Sequence, residues 1–192
     1  MSPLFFGVPV AALMARLRDG DREALAFVYD ALFLSLWRLA VLRTHAPDAA
    51  EDLVHEVFLA VWARRAELPL DLNIQAYFAT AVRNRARAYR AHAHVERATE
   101  TAVLDATLSP PGMGREATPA DLALEEAELR AIYQRALATL TDREREAAVL
   151  RWESHWTIAD IAAALELSVG GAHGLLARAQ RKVQTALLEY RS

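Results

Sequence analysis

The 192-residue chain has no cysteine and a single lysine, Lys182. Without cysteine there is no disulfide framework and no thiolate metal site, which suits a reducing compartment, and a cytoplasmic location is expected. Strand signals are nearly missing: β-branched runs are few, and no alternating apolar–polar segment is bounded by turns. Charge of one sign does not dominate either, with 25 Asp and Glu against 22 Lys and Arg and a formal net charge of −3. A surface coated in positive charge is thereby excluded, so any contact with nucleic acid must come from local patches. No membrane span is read. The apolar stretch from Leu4 to Leu13 is too short, is broken by Pro9 and lacks a leading basic cluster. It reads as an arm leading into the first helix. There is no Gly-rich phosphate loop and no nucleophile–His–acid pattern. His92 and His94, two apart on a helix, do not share a face, and no carboxylate set completes them. No metal, no cofactor and no catalysis are expected.

What is there is helix. Hydrophobic residues make up 54% of the chain and recur with helical spacing almost throughout, so an all-α fold is expected. Val10 to Arg18 forms a short helix ended by Asp19-Gly20, and Asp21 caps a long one from Arg22 to about Arg43. Asp48, with Glu51 three residues on, is expected to cap the next helix. There Leu53, Val57, Phe58, Val61 and Trp62 form one stripe, with Asp52, His55, Glu56, Arg64 and Arg65 largely outside it. A further helix runs from Asn73 to about Ala93, with Ile74, Tyr77, Phe78, Ala81 and Val82 inward. From Ala98 to about Asp121 the character changes, and Ser109-Pro110-Pro111-Gly112 suits neither helix nor core strand. This stretch reads as a flexible linker between two small helical domains, 1–97 and 121–192, with the linker at 98–120. A helix carrying Glu125, Glu126 and Glu128 in its early turns follows it, and the acids of linker and helix are placed to shield basic surfaces in the free protein. Thr141 then caps a helix expected to run to about Glu153.

The stretch Thr157–Lys182 reads as two helices joined by the turn Glu166-Leu167-Ser168. Thr157, with Asp160, caps the first and Ser168 the second. Ile158, Ile161, Ala162 and Leu165 face inward from the first, and Val169, Ala172, Leu175 or Leu176, and Ala179 from the second. Such a pair suits a helix-turn-helix, which lays its second helix in a DNA major groove, and equally a hairpin within a helical bundle. The most basic stretch lies elsewhere, from Arg83 to Arg97, where five arginines accompany one acid, Glu96. With Tyr77, Phe78 and Tyr89 nearby, it could hold a nucleic-acid backbone and stack unpaired bases, whereas many charge runs are only solvated helix faces. The preference for arginine over lysine favours bidentate phosphate and guanine contacts, and is also what GC-rich coding produces.

Taken together, these segments resemble the extracytoplasmic-function (ECF) sigma factors of bacterial RNA polymerase. The segment from Ala50 to Trp62, AEDLVHEVFLAVW, is similar to the family's AEDLVQEVFLRVW, with His55 in place of Gln. The resemblance implies that this helix binds the clamp of the largest polymerase subunit through Asp52, His55, Glu56 and Trp62. The segment from Ala76 to Ala86 is similar to the helix with which the family opens and holds the −10 element, a role implied for Arg83, Asn84, Arg85, Arg87, Tyr89 and Arg90. Leu140 to Lys182 is similar to the family's −35-reading unit, implying contacts from Arg143, Arg151, Ser168, His173, Arg178, Arg181 and Lys182. Where the family has TVKSRLHRAR, this chain has GAHGLLARAQ: Lys is replaced by His173, Ser by Gly174 and Arg by Leu175. The resemblance therefore implies core polymerase and promoter DNA as partners and, as is common in the family, an anti-sigma factor. Two other readings stay open. One is a helix-turn-helix regulator that uses only its C-terminal domain. The other is a sigma-like module that holds a partner without reading a promoter.

Overall fold

The computed structural model describes residues 4–96 and 132–190, with side chains described outside 93–96 and 189–190. The expected linker, and the acidic turns bearing Glu125, Glu126 and Glu128, lie outside the described residues. The fold is all-α apart from a two-stranded hairpin, and in order it runs as follows.

The N-terminal arm is that hairpin: β1 (Leu4–Phe5) pairs antiparallel with β2 (Val8–Pro9), Phe5 opposite Val8. Its two-residue loop, Phe6 and Gly7, takes positive φ at both positions, as a tight hairpin needs. Helix α1 (Val10–Arg18) buries Val10, Leu13, Met14 and Leu17, the i, i+3, i+4, i+7 set of one face. Helix α2 (Arg22–Thr44) begins at Asp21, whose carboxylate accepts hydrogen bonds from the backbone N–H groups of Glu23 (2.9 Å) and Ala24 (3.2 Å). It is long and apolar enough, by length and composition, to cross a membrane. Here it is the central core helix: Val28, Leu32, Leu36, Trp37, Leu39 and Ala40 are fully buried against α1 and the helices that follow. From Ala31 to Thr44 no residue is exposed, which explains why that part of the helix lacks a polar face, whereas Arg22, Glu23, Ala26, Phe27 and Asp30 of its first turns are exposed.

Helix α3 (Pro47–Ala63) starts two residues earlier than a cap at Asp48 implies, and Asp48 does not cap it. His45 ends α2 in the left-handed conformation (φ 55°), and the Thr44 hydroxyl bonds the Ala46 backbone, leaving Ala46 extended at the cap position. Pro47 then occupies the first helical position, where its missing N–H costs nothing. Asp48 sits in the first turn, favoured there by the helix dipole. A 3₁₀ turn (Arg65–Glu67) leads on to α4 (Ile74–Glu96), capped by the Asn73 side chain, which accepts from the Ala76 N–H at 3.0 Å.

The second segment opens with α5 (132–138). Thr141 and Glu144 form the reciprocal capping box of α6 (Asp142–Ala148). The helix expected to continue to Glu153 instead widens into a π turn, Val149–Glu153. Helix α7 (Ile158–Ala164) is capped by Thr157, which accepts from the Asp160 N–H at 3.1 Å. After the turn, with Glu166 at φ 55°, Ser168 accepts from Gly171 N–H at 3.0 Å and starts α8 (Val169–Tyr190). The inward residues of α8 are Ala172, Leu175 and Ala179, with Leu176 half-buried. Val169 points outward, 52% exposed, because the turn places the first residue of α8 beyond the reach of α7.

The two segments share a core. Buried residues of α1–α4 form one contiguous cluster with Ala147, Leu150, Trp156, Ile161, Ala164, Leu165, Ala172 and Leu175. α4 packs on α7, and α2 packs on α6 and the π turn. Leu137, Leu140, Ala148 and Ala179 form a smaller second cluster.

Candidate functional site

Three surfaces concern the expected function: the outer face of α3, the length of α4, and the exposed side of α8.

On α3, Asp52 and Glu56 are one turn apart and exposed. His55 and Trp62, two turns apart, lie on a different edge. The His55 ring stacks on Tyr29 and Phe33 of α2, and its Nε2 is 2.8 Å from the Tyr29 hydroxyl. Burial, then nearby acids, pushes the Tyr29 hydroxyl's pKa up, so it stays a protonated partner for that ring. Trp62 is half-buried, lines a small cavity with Met14, Leu17 and Val28, and carries the Arg65 guanidinium 4.5 Å over its ring. Of the four side chains, the structure thus brings Asp52 and Glu56 together on the outer face and turns His55 and Trp62 toward neighbouring helices. Sequence reasoning passed over Leu59, which is 69% exposed on the same outer face. Its signal is the spacing: three residues beyond Glu56 and seven beyond Asp52 put it with the acids, off the buried stripe.

On α4, Asn84, Arg85, Arg87 and Arg90 are exposed and Tyr89 is half-buried. Two adjoining depressions of about 420 and 470 Å³ run between α3 and α4, both lined by Glu56, Arg85 and Ala88. The first also takes in Asp52, Tyr89 and His92, the second Tyr77 and Asn84. Arg85 bridges them by donating to Glu56 at 2.7 Å from Nε, with a second approach of 2.5 Å from its terminal nitrogen. Both partners are more than half exposed, so the pair contributes about 0–1 kcal/mol and is readily exchanged for another partner.

Arg83 is placed differently from the other α4 residues. Its side chain is 6% exposed, its guanidinium donates to the Ala164 carbonyl at 2.6 Å, and it faces Glu146 at 3.9 Å and Glu166 at 3.7 Å. In this arrangement it does not face solvent. Burial, only partly offset by Glu146, lowers its pKa from the ordinary guanidinium value. Two arginines of α2 share the junction: Arg43 pairs closely with Glu146, and Arg38 with Glu153 at 3.1 Å. Tyr133 donates to Glu153 at 2.9 Å, and burial beside that carboxylate pushes the phenol well above its ordinary pKa.

On α8, Ser168, Gly170, Gly171 and His173 are exposed, and none of the first six residues of the helix is acidic or carries Lys or Arg. Leu175, where the resembled pattern has Arg, is an inward residue. Arg178, Arg181, Lys182 and Thr185 line a shallow depression of about 580 Å³ with Thr139. Two of these cations are engaged: Lys182 donates to Glu144 at 2.7 Å, and Arg178 approaches the same buried carboxylate at 3.8 Å. Burial alone would raise the Glu144 pKa, but the Lys182 ammonium and the Thr141 hydrogen bonds outweigh it and hold the carboxyl below its ordinary value. Arg143 is exposed on α6, and Arg151 is exposed in the π turn, donating to the Trp156 carbonyl at 2.8 Å.

Comparison with known proteins bears on these surfaces. Residues 136–185, from α5 into α8, match the family model for sigma-70, region 4. A probable RNA polymerase sigma factor, RfaY, of Xanthomonas campestris pv. campestris is 27% identical over 171 residues, 88% of this chain but 42% of the relative. The chain thus spans less than half the length of that curated relative. Among solved structures, CnrH in complex with the cytosolic domain of CnrY is similar with a TM-score of 0.63 at 22% identity, over 95% of this chain and 99% of that one. The sigma factor RpoE of Bartonella quintana, in complex with the anti-sigma factor NepR, is similar with a TM-score of 0.58 at 22% identity, over 84% of this chain and 96% of that one. The region 4 match takes in the capped helix-turn-helix, and the fold likeness extends to the helices bearing the Ala50–Trp62 motif. Residues 136–185 thus match sigma-70 region 4, and the chain is similar to a sigma factor over most of its own length.

Proposed function

We propose that the chain is an ECF-type sigma factor that directs RNA polymerase core to particular promoters in the cytoplasm. The observation that carries this reading is the outer face of α3, where Asp52 and Glu56 stand exposed on a rigid, well-packed helix within the Ala50–Trp62 motif. A basic helix, as in the clamp of the largest polymerase subunit, is complementary to that face. In this reading 1–97 binds core and opens −10 DNA through Asn84, Arg85, Arg87, Tyr89 and Arg90, with Arg83 joining them once uncovered. The stretch 98–120 links it to 121–192, which contacts −35 DNA through Arg143, Arg151, Ser168, His173, Arg178, Arg181 and Lys182. The chain performs no chemistry itself, and an anti-sigma factor is a further partner.

The test is titration of purified core polymerase with labelled chain. Asp52→Lys combined with Glu56→Lys places like charges opposite the basic partner, a cost of several kcal/mol, so affinity falls by about 100-fold or more while thermal stability changes little. Unchanged core binding by the doubly reversed chain contradicts this assignment. The engaged cations of α8 favour a second reading in one respect: −35 contact is weak and depends on polymerase to place it.

A further inference from the structure

We propose that the depression on α8 lined by Arg178, Arg181, Lys182, Thr185 and Thr139 is a binding site for a short phosphate chain, the group shared by inorganic polyphosphate and nucleoside polyphosphates. The site itself goes beyond the sigma-factor reading. Only its consequence, that an occupied site withdraws these cations from −35 DNA, rests on that reading.

The geometry sets the ligand class. Arg178, Arg181, Lys182 and Thr185 stand at i, i+3, i+4 and i+7, so they share one face of α8. Thr139 comes from another element, just past α5. A volume of about 580 Å³ lies within the range of small-molecule sites. Among the described residues no carboxylate lines the depression. One buried acid, Glu144, reaches its cations, and three cations against that carboxylate leave a local charge of +2. Arg178 and Lys182 are separated by about 6 Å along the helix axis, so successive phosphates of a chain, rather than a single one, meet successive cations.

The donors are in place and largely unused. Lys182 gives one N–H to Glu144 and keeps two. Arg178 is 3.8 Å from the same carboxylate, beyond hydrogen-bond reach, so its N–H groups are not taken up there. Arg181 is exposed and has no carboxylate partner among the described residues. Guanidinium and ammonium groups donate strongly to phosphate oxygens, and guanidinium does so with two parallel bonds. Duplex DNA fills such a depression poorly. Arg178 to Thr185 lie about 13 to 24 Å along the axis from Val169, the first residue of α8. A major groove about 12 Å wide that takes the first turns of the helix therefore leaves the depression outside it.

The experiment is isothermal titration of the full chain with sodium tripolyphosphate at constant ionic strength, with orthophosphate for comparison. One site per chain is expected, with tripolyphosphate at least about tenfold tighter than orthophosphate. Arg178→Ala combined with Arg181→Ala, two exposed positions that leave the core intact, is expected to weaken tripolyphosphate at least about tenfold. Arg18→Ala combined with Arg22→Ala removes the same charge from exposed positions outside the depression and is expected to change the affinity by less than about twofold. Adenosine and guanosine triphosphates separate the two sources. Affinity no better than that of tripolyphosphate assigns the site to the bare chain, and tighter binding of either nucleotide assigns it to a nucleoside polyphosphate. No saturable heat with tripolyphosphate, or equal weakening by the two double variants, overturns the site. Saturable binding that leaves affinity for duplex DNA unchanged at the same ionic strength supports the site and overturns the assignment of these cations to −35 DNA instead.

Discussion

Helices α4 and α8 invite comparison. They are nearly equal in length, 23 and 22 residues, and each carries basic residues expected to meet promoter DNA. On α4, Arg87 and Arg90 stand exposed, and Arg85 is held only by a surface pair with Glu56. On α8, Arg178 and Lys182 converge on Glu144, a carboxylate 5% exposed that also closes the α6 capping box. The number of cations on a helix is therefore a poor guide to the charge it offers a ligand. What decides is which carboxylates the fold brings alongside. The acid beside Arg85, Glu56, is solvent-exposed and yields easily, whereas Arg83 of the same helix faces the buried Glu146. The acid under α8 is fixed by its own helix cap and yields only if that cap is disturbed.

The comparison can be broken most forcefully at α4. Replacing Arg87 and Arg90 together by Ala removes two phosphate contacts, which lowers the salt dependence of single-strand binding by about 0.7 per contact. It should abolish open-complex formation while leaving core binding intact. A salt slope equal to that of the unaltered chain would show that these arginines are only a solvated face. A smaller change is expected at α8. Glu144→Gln keeps a residue able to complete the capping box, so stability changes by less than about 1 kcal/mol, but it frees Lys182 and Arg178. Duplex binding by the chain should then rise about fivefold at low salt, the gain fading as salt increases. If the gain is absent, the Glu144 contacts do not withhold these cations from DNA.

The smallest effect is read by pH. The Glu144 pKa is lowered in the folded chain, so its contribution is fully present above the ordinary glutamate value near 4.5 and is lost as pH falls through the lower, folded value. Thermal midpoints measured downward from pH 5 should fall more steeply for the unaltered chain than for Glu144→Gln. Parallel curves would mean that Glu144 gains nothing from Lys182 and Thr141.

The helix caps were legible in the sequence because they are local. Asp21, Thr141, Thr157 and Ser168 act within three residues, and each caps the helix that its position implies, while the reciprocal box forms at Thr141–Glu144. The all-α class followed from periodicity in the same way. Asp48 shows the limit of even local reading: it has the right spacing to Glu51, but Thr44 and Pro47 set the helix start first. The interfaces were less legible. Arg83 lies in the most basic stretch of the chain, yet its fate is settled by Ala164, 81 residues away, and by Glu146. Lys182 meets Glu144 from 38 residues away. Nothing in the neighbourhood of either residue signals such a partner. The π turn at Val149–Glu153 is likewise a tertiary outcome, turning Glu153 toward Arg38 and Tyr133 where a regular helix was expected.

The most direct test is transcription reconstituted from purified core polymerase and this chain on fragmented genomic DNA, with transcript starts mapped. The account predicts discrete starts that appear only when the chain is added, share upstream −10 and −35 sequences, and vanish with Asp52→Lys plus Glu56→Lys. Core binding without any chain-dependent start would contradict it, and would leave a module that holds polymerase without choosing promoters.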